Sequence, residues 1–127
     1  MIGKLKSYFE TRDDIIFAFL FGSFVNNRET EYSDADIAVA FKKGYDFNKI
    51  RELWRNLENL LKRDVDLIIL NESTPSVAWS ALRGIPIIIR DKGLYFNYML
   101  EVSREAEDFN EFIIDMWHMK QGRFLNF

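Results

Sequence analysis

Two aspartates one residue apart, Asp34 and Asp36, open the chemical reading of this chain. In an extended strand, residues i and i+2 leave the same face, so the two carboxylates would stand side by side. Carboxylates that close repel one another unless a proton or a cation lies between them. A divalent cation is one answer, and an oxygen-rich ligand set is what magnesium takes. Asp66 is a third carboxylate, in the run Asp64 to Leu70. Its neighbours Val65, Leu67 and Ile68 are apolar, so a charge there is costly and wants a reason. Asp64 follows Lys62-Arg63 and reads as a surface residue instead. If the strands that carry Asp36 and Asp66 pair, the three acids converge in a layout suited to two-metal phosphoryl chemistry.

Gly22 and Ser23 supply a second element of the same chemistry. They end the apolar run Ile15 to Phe21. Glycine lets the backbone turn sharply and approach a ligand closely. A helix starting at Ser23 would turn its free N–H groups and the serine hydroxyl toward an anion. A strand, a Gly-Ser turn, a helix and a strand with paired aspartates would thus set phosphates beside metal ions.

The flanking elements must hold these groups in place. Lys4 to Glu10 reads as a first helix and Ile15 to Phe21 as a buried strand. Asp34 to Phe41 reads as a second strand, with Ile37, Val39 and Phe41 on one face. Phe47, Ile50, Leu53, Trp54, Leu57, Leu60 and Leu61 recur at helical spacing, behind Asp46 as N-cap. Asp64 to Leu70 is the third strand. Thr74-Pro75 predicts an N-cap with proline at the first helical position, and Gly84 the matching C-terminal glycine. Ile85 to Arg90 is a fourth strand, which Pro86 confines to an edge or a strand start. Trp54 and Trp79 are expected in the core. From Leu94 onward the pattern is helical, with Tyr95, Met99, Val102, Ala106, Phe109, Ile113 and Met116 on one stripe. One helix of that extent would be about 40 Å long. It is expected to break near Asp108-Phe109-Asn110 or to project toward a partner, a second copy included. His118, the single histidine, and the aromatics Trp117, Phe124 and Phe127 lie on that tail. The fold class is α/β (α+β): a small mixed sheet flanked by helices, with a long C-terminal helical segment.

Composition narrows the options. The chain has 127 residues, of which 48% are hydrophobic, enough for one domain over residues 1–127 with a compact core. It has no cysteine, which removes thiol nucleophiles and zinc-thiolate sites. The first ten residues lack a signal peptide's apolar run, and no stretch approaches the roughly 20 apolar residues of a membrane span. A cytoplasmic protein is expected. The formal net charge is −3 and the basic residues are scattered, so long nucleic acid is not the expected partner.

Gly22-Ser23 followed by Ser33-Asp34-Ala35-Asp36-Ile37, with Asp66 in a later Val-Asp-Leu strand, resembles the signature of the DNA polymerase beta-type nucleotidyltransferases. More narrowly, the chain is similar over nearly its whole length to the minimal nucleotidyltransferases (MNT proteins) that act as antitoxins beside HEPN-domain toxins. The resemblance implies that Gly22, Ser23 and Ser33 bind the nucleoside triphosphate. It implies that Asp34 and Asp36 ligate two magnesium ions, and that Asp66 completes the metal site and acts as base toward the acceptor hydroxyl. All three aspartates are then catalytic. Many family members have arginine and then glycine where this chain has Asn26 and Asn27; Arg28 is the neighbouring cation that would serve the phosphates. The implied reaction is attack of a hydroxyl on the α-phosphorus with release of pyrophosphate. For MNT antitoxins it is transfer of AMP from ATP to a tyrosine of the HEPN partner. Two alternatives stand beside it: a catalytically silent antitoxin that neutralises its partner by binding, and a small-molecule nucleotidyltransferase of the aminoglycoside-modifying kind.

Overall fold

The structure is a computed structural model that describes residues 1–22 and 35–105. Four strands form one mixed sheet: β1 (Ile15–Phe21), β2 (Ala35–Phe41), β3 (Val65–Ile69) and β4 (Ile85–Ile89), in the order β3-β2-β1-β4. β1 runs antiparallel to both β2 and β4, whereas β2 and β3 are parallel. Among the described residues, four helices flank the sheet: α1 (Ile2–Glu10), α2 (Phe47–Leu61), α3 (Pro75–Leu82) and α4 (Lys92–Glu105). A 3-10 turn, Leu70–Glu72, follows β3.

Both faces of the sheet are covered. Leu5 and Phe9 of α1 and Leu53 and Leu57 of α2 pack on Ile37, Val39, Val65 and Leu67. On the other face, Trp79 and Leu82 of α3 and Tyr95, Met99 and Val102 of α4 pack on Phe17, Phe19, Ala38 and Ala40. Burial from both sides explains why β1 is an unbroken apolar run rather than an alternating one. Each fully buried Leu or Phe adds about 1.5–3 kcal/mol relative to exposure.

Several local signals act as the sequence indicates. The Asp46 carboxylate accepts from Lys49 N–H at 2.9 Å and caps α2. Pro86 lies near the start of β4, an edge strand, where its missing donor costs least. α1 starts at Ile2, two residues before Lys4. Thr74 occupies the N-cap of α3 with Pro75 in its first turn, as expected, although the Thr74 side chain makes no capping bond. Two expectations need correction. Gly84 serves close packing: a methyl group there would lie 2.7 Å from Phe21 Cβ and would collide with the Leu20 carbonyl. Phe47 and Trp54 are exposed by 66% and 39%, although both fall on the helical stripe of α2. Periodicity alone reads them as core because the stripe is wider than the surface the sheet can cover. Trp79 is buried as expected.

Two side chains tie the layers together. Arg90, just past β4, donates to the carbonyls of Ile15 (2.9 Å) and Phe9 (2.7 Å), which joins the end of α1 to the start of β1. The Asn71 amide accepts from Phe41 N–H and donates to the Phe41 carbonyl, both at 2.9 Å, and so continues the pairing beyond β2. Among the described residues no helix is long and apolar enough to cross a membrane. The proposed break near Asp108-Phe109-Asn110, the stripe from Ala106 to Met116, and Trp117, His118, Phe124 and Phe127 lie outside the described residues.

Candidate active site

One end of the sheet collects the C-terminus of β1 and the N-termini of β2 and β3. Phe21 stands opposite Asp36 across the antiparallel pair. Asp36 in turn stands opposite Asp66 across the parallel pair. Residues opposite one another on neighbouring strands project from the same face, with the strands about 4.8 Å apart. The two carboxylates are therefore neighbours, 30 positions apart in sequence and one strand spacing apart in space. Asp36 is half-buried, while Asp66 is exposed. The expectation that Asp66 is embedded among apolar neighbours is thus corrected. Val65 and Leu67 turn to the core and Asp66 turns the other way, so strand alternation frees it from the surroundings its sequence suggests. Asp64 is exposed, as expected.

Gly22 completes this corner. Its φ is +78°, the left-handed region that favours glycine. A Cβ there would sit 2.9 Å from Asp36 Cγ and collide with its carboxylate oxygen. The backbone after β1 therefore passes directly against the Asp36 carboxylate. A strand that ends in glycine at this point gives close backbone approach to whatever the carboxylate binds.

A further set of contacts fixes the main chain of Val65, the residue before Asp66. Val65 N–H donates to the Glu58 carboxylate at 3.0 Å, and the Trp54 indole N–H donates to the Val65 carbonyl at 2.7 Å. The Asp64 carbonyl accepts from Ala35 N–H at 3.0 Å, on the side facing β2. Main-chain groups alternate sides along a strand, so those of Val65 face the open edge of the sheet. Two α2 side chains stand there in place of a neighbouring strand. Sequence reading missed this clamp. The signal was available in the i, i+4 spacing of Trp54 and Glu58, which sets them on one side of α2.

At the far end of β1, Arg12 donates to both oxygens of Asp14, at 3.0 and 2.9 Å, and to Tyr8 Oη at 2.7 Å. The guanidinium holds the Asp14 carboxyl below its ordinary range. Ser23, Arg28, Ser33 and Asp34, together with Asn26 and Asn27, lie outside the described residues. Among the sequence-derived site residues, the fold therefore brings together Gly22, Asp36 and Asp66.

The family model described as Polymerase beta, Nucleotidyltransferase matches residues 3–93, from α1 into α4. The chain belongs to this family. Similar proteins extend the picture of this nucleotidyltransferase. A curated relative from Methanocaldococcus jannaschii, "Putative protein adenylyltransferase MJ0128", is 46% identical over 50 residues, 39% of this chain and 51% of the relative. A second from the same organism, with the same description and the designation MJ1215, is 44% identical over 52 residues, 41% of this chain and 60% of the relative. The chain spans about half to three fifths of the length of these relatives. Among solved structures, a chain from the crystal structure of a toxin-antitoxin with AMP-PNP superposes with a TM-score of 0.67 at 22% identity, covering 88% of this chain and 95% of that one. A chain from the complex of tri-AMPylated Shewanella oneidensis HEPN toxin with MNT antitoxin gives 0.62 at 21% identity, covering 91% and 97%. At these identities the structural likeness speaks to the fold.

Proposed function

We propose that this chain transfers a nucleotide, AMP from ATP, to a hydroxyl of a partner protein, and that it acts as antitoxin to a HEPN-domain toxin. One observation carries the reading: Asp36 and Asp66 share a register position beside the glycine that ends β1. Family membership supports the reaction class. The relatives named as protein adenylyltransferases support a protein acceptor, and the toxin-antitoxin complexes support the partner class.

The donor set fits magnesium, because two carboxylates on adjacent strands offer only hard oxygen ligands. Asp36 and Asp66, with Asp34 two residues before Asp36, would hold two ions. When bound, they would neutralise phosphate charge. The chain's own groups do the rest. Gly22 and Ser23 bring main-chain donors to the triphosphate. Ser33 and Arg28 add a hydroxyl and a cation. Asp66 accepts the proton of the acceptor hydroxyl, whose oxygen forms the new bond to the α-phosphorus as the bond to pyrophosphate breaks. An exposed Asp66 suits a macromolecular acceptor, because the base is reachable from solvent. Catalysis on this plan is positioning and charge compensation.

The test is incubation of the full chain with ATP, magnesium and the product of the adjacent gene, read by intact-mass spectrometry. An added AMP on the partner, lost in D36N and D66N, is the expected result. No adduct and no ATP binding by calorimetry would remove the proposal. An adduct-free partner that is still neutralised by D36N would replace it with a binding antitoxin.

A further inference from the structure

The register that sets Asp36 opposite Asp66 continues across the sheet. Asp36 also stands opposite Phe21 on β1. Leu20 pairs with Ile85, the first residue of β4, so Gly84 stands level with Phe21. Asp66, Asp36, Phe21 and Gly84 thus form one row at the end of the sheet. Gly84 lies two strand spacings from Asp36, about 10 Å, on the side away from Asp66.

Arg83, the residue before Gly84, brings a cation to that end of the row. It closes α3, which lies over the face from which Asp36 and Asp66 project. Ala38, two residues after Asp36, marks that face, and it shares a buried cluster with Trp79 and Leu82 of α3. The main chain here is fixed. Arg83 N–H donates to the Trp79 carbonyl at 3.2 Å, and Gly84 N–H to the Ala81 carbonyl at 3.0 Å. Gly84 packs so tightly on Leu20 and Phe21 that a methyl group does not fit. Arg83 is therefore seated against the end of β1, where the chain turns at Gly22. Its side chain is exposed, with the guanidinium 5.8 Å from the ring centroid of the buried Trp79. The C-terminus of α3 favours a cation at this point, and the ring restrains it.

In-line displacement gives the row a direction. The attacking and leaving oxygens stand on opposite sides of the α-phosphorus. On the reading above, Asp66 takes the proton of the acceptor hydroxyl on the β3 side. That oxygen bonds to the α-phosphorus, and the bond that breaks points the other way, past Gly22 toward β4. Its electron pair departs on pyrophosphate. A held guanidinium suits the growing charge, because its paired N–H donors match phosphate oxygens. Lys62 and Arg63 precede β3 and so flank the acceptor side instead.

We propose that Arg83 binds the β- and γ-phosphates of the nucleotide and stabilises pyrophosphate as it leaves. The proposal rests on the nucleotide-transfer reading above and names its leaving-group residue.

The test is isothermal titration calorimetry on the full chain with magnesium. ATP, AMP and inorganic pyrophosphate are the separate probes. R83Q is expected to lose about tenfold in affinity for ATP and for pyrophosphate, and to keep its AMP affinity to within about twofold. R83K keeps the charge without the fork, so its affinities are expected between those of wild type and R83Q. A role confined to covering Trp79 predicts a different pattern: a lower melting temperature, with ATP and AMP affinities changed alike. That pattern, or ATP and pyrophosphate bound equally by wild type and R83Q, overturns the role of Arg83 and leaves nucleotide transfer standing. A wild-type chain that binds neither ATP nor pyrophosphate overturns both.

Discussion

Substitution of Gly22 by alanine tests the corner of the site most directly. Two costs meet there. The backbone at φ +78° puts an L-residue in the left-handed region, at about 1–2 kcal/mol. The added methyl group also overlaps the Asp36 carboxylate, with Cγ only 2.9 Å away. Rotating that carboxylate off its rotamer adds about 0.5–1.5 kcal/mol. Gly44 supplies an internal control. Its φ is +89°, yet a Cβ there meets nothing within 4 Å. G44A therefore carries the strain without the collision. G22A should melt below G44A by about 4 °C, on the scale of about 1 kcal/mol for a chain of this size. The larger difference lies in function. A carboxylate displaced by about 1 Å costs about 100-fold in rate, so G22A should lose about that factor in kcat/KM for transfer while G44A keeps wild-type values. The assay is AMP transfer at saturating partner, beside calorimetric melting of both variants. Equal melting of the two, with G22A retaining transfer to within about threefold, would refute the reasoning.

Other consequences can be checked on the same material. E58A and W54F each remove one clamp on Val65 and should cost about 1 kcal/mol, with E58Q milder because it keeps an acceptor. Because both act on one residue, the double variant should deviate from additivity by at least about 0.5 kcal/mol in a double-mutant cycle. Asp14 has a lowered folded pKa, so its contribution is present above the ordinary carboxylate value and fades as pH falls through the folded one. D14N should therefore destabilise by about 1 kcal/mol at pH 7, and the gap from wild type should close below about pH 4 in acid titrations followed by circular dichroism. Lys62 ends α2 at φ 55°, with its N–H on the Glu58 carbonyl at 2.8 Å. K62G relieves that left-handed strain and should raise stability by up to about 1 kcal/mol in urea melts.

The elements were legible where a local rule and the tertiary fold agree. The run Ile15–Phe21 announces a strand buried on both faces, and Asp46 caps the helix it precedes. Asp36 and Asp66 were expected to converge only if their strands pair, and β2 and β3 do pair, with the two residues in register. The argument for Asp66 from burial fails, because alternation along β3 turns it outward; its register opposite Asp36 is what qualifies it. Trp54 and Phe47 escaped because helical periodicity marks a stripe without saying how far the sheet extends beneath it. The role of Gly84 escaped for a related reason. Its requirement comes from Leu20 and Phe21, more than 60 positions away, not from the helix it follows. The clamp on Val65 depends on which side of β3 its main chain faces, a property that strand pairing decides.

The alternation Val65 in, Asp66 out, Leu67 in carries one more consequence. A parallel strand at the edge of a sheet can slide along its neighbour, and a slip of one residue sends every side chain to the opposite face. For β3 that slip would drive the Asp66 carboxylate toward Leu53 and Leu57 and lift Val65 and Leu67 into water. The charge proposed to serve phosphoryl chemistry is thus also the key that admits a single alignment of the strand. Replacing Asp66 by leucine is expected to abolish the proposed chemistry and at the same time license the wrong alignment. On the proposed chemistry, function and folding specificity rest on the same two carboxylate oxygens.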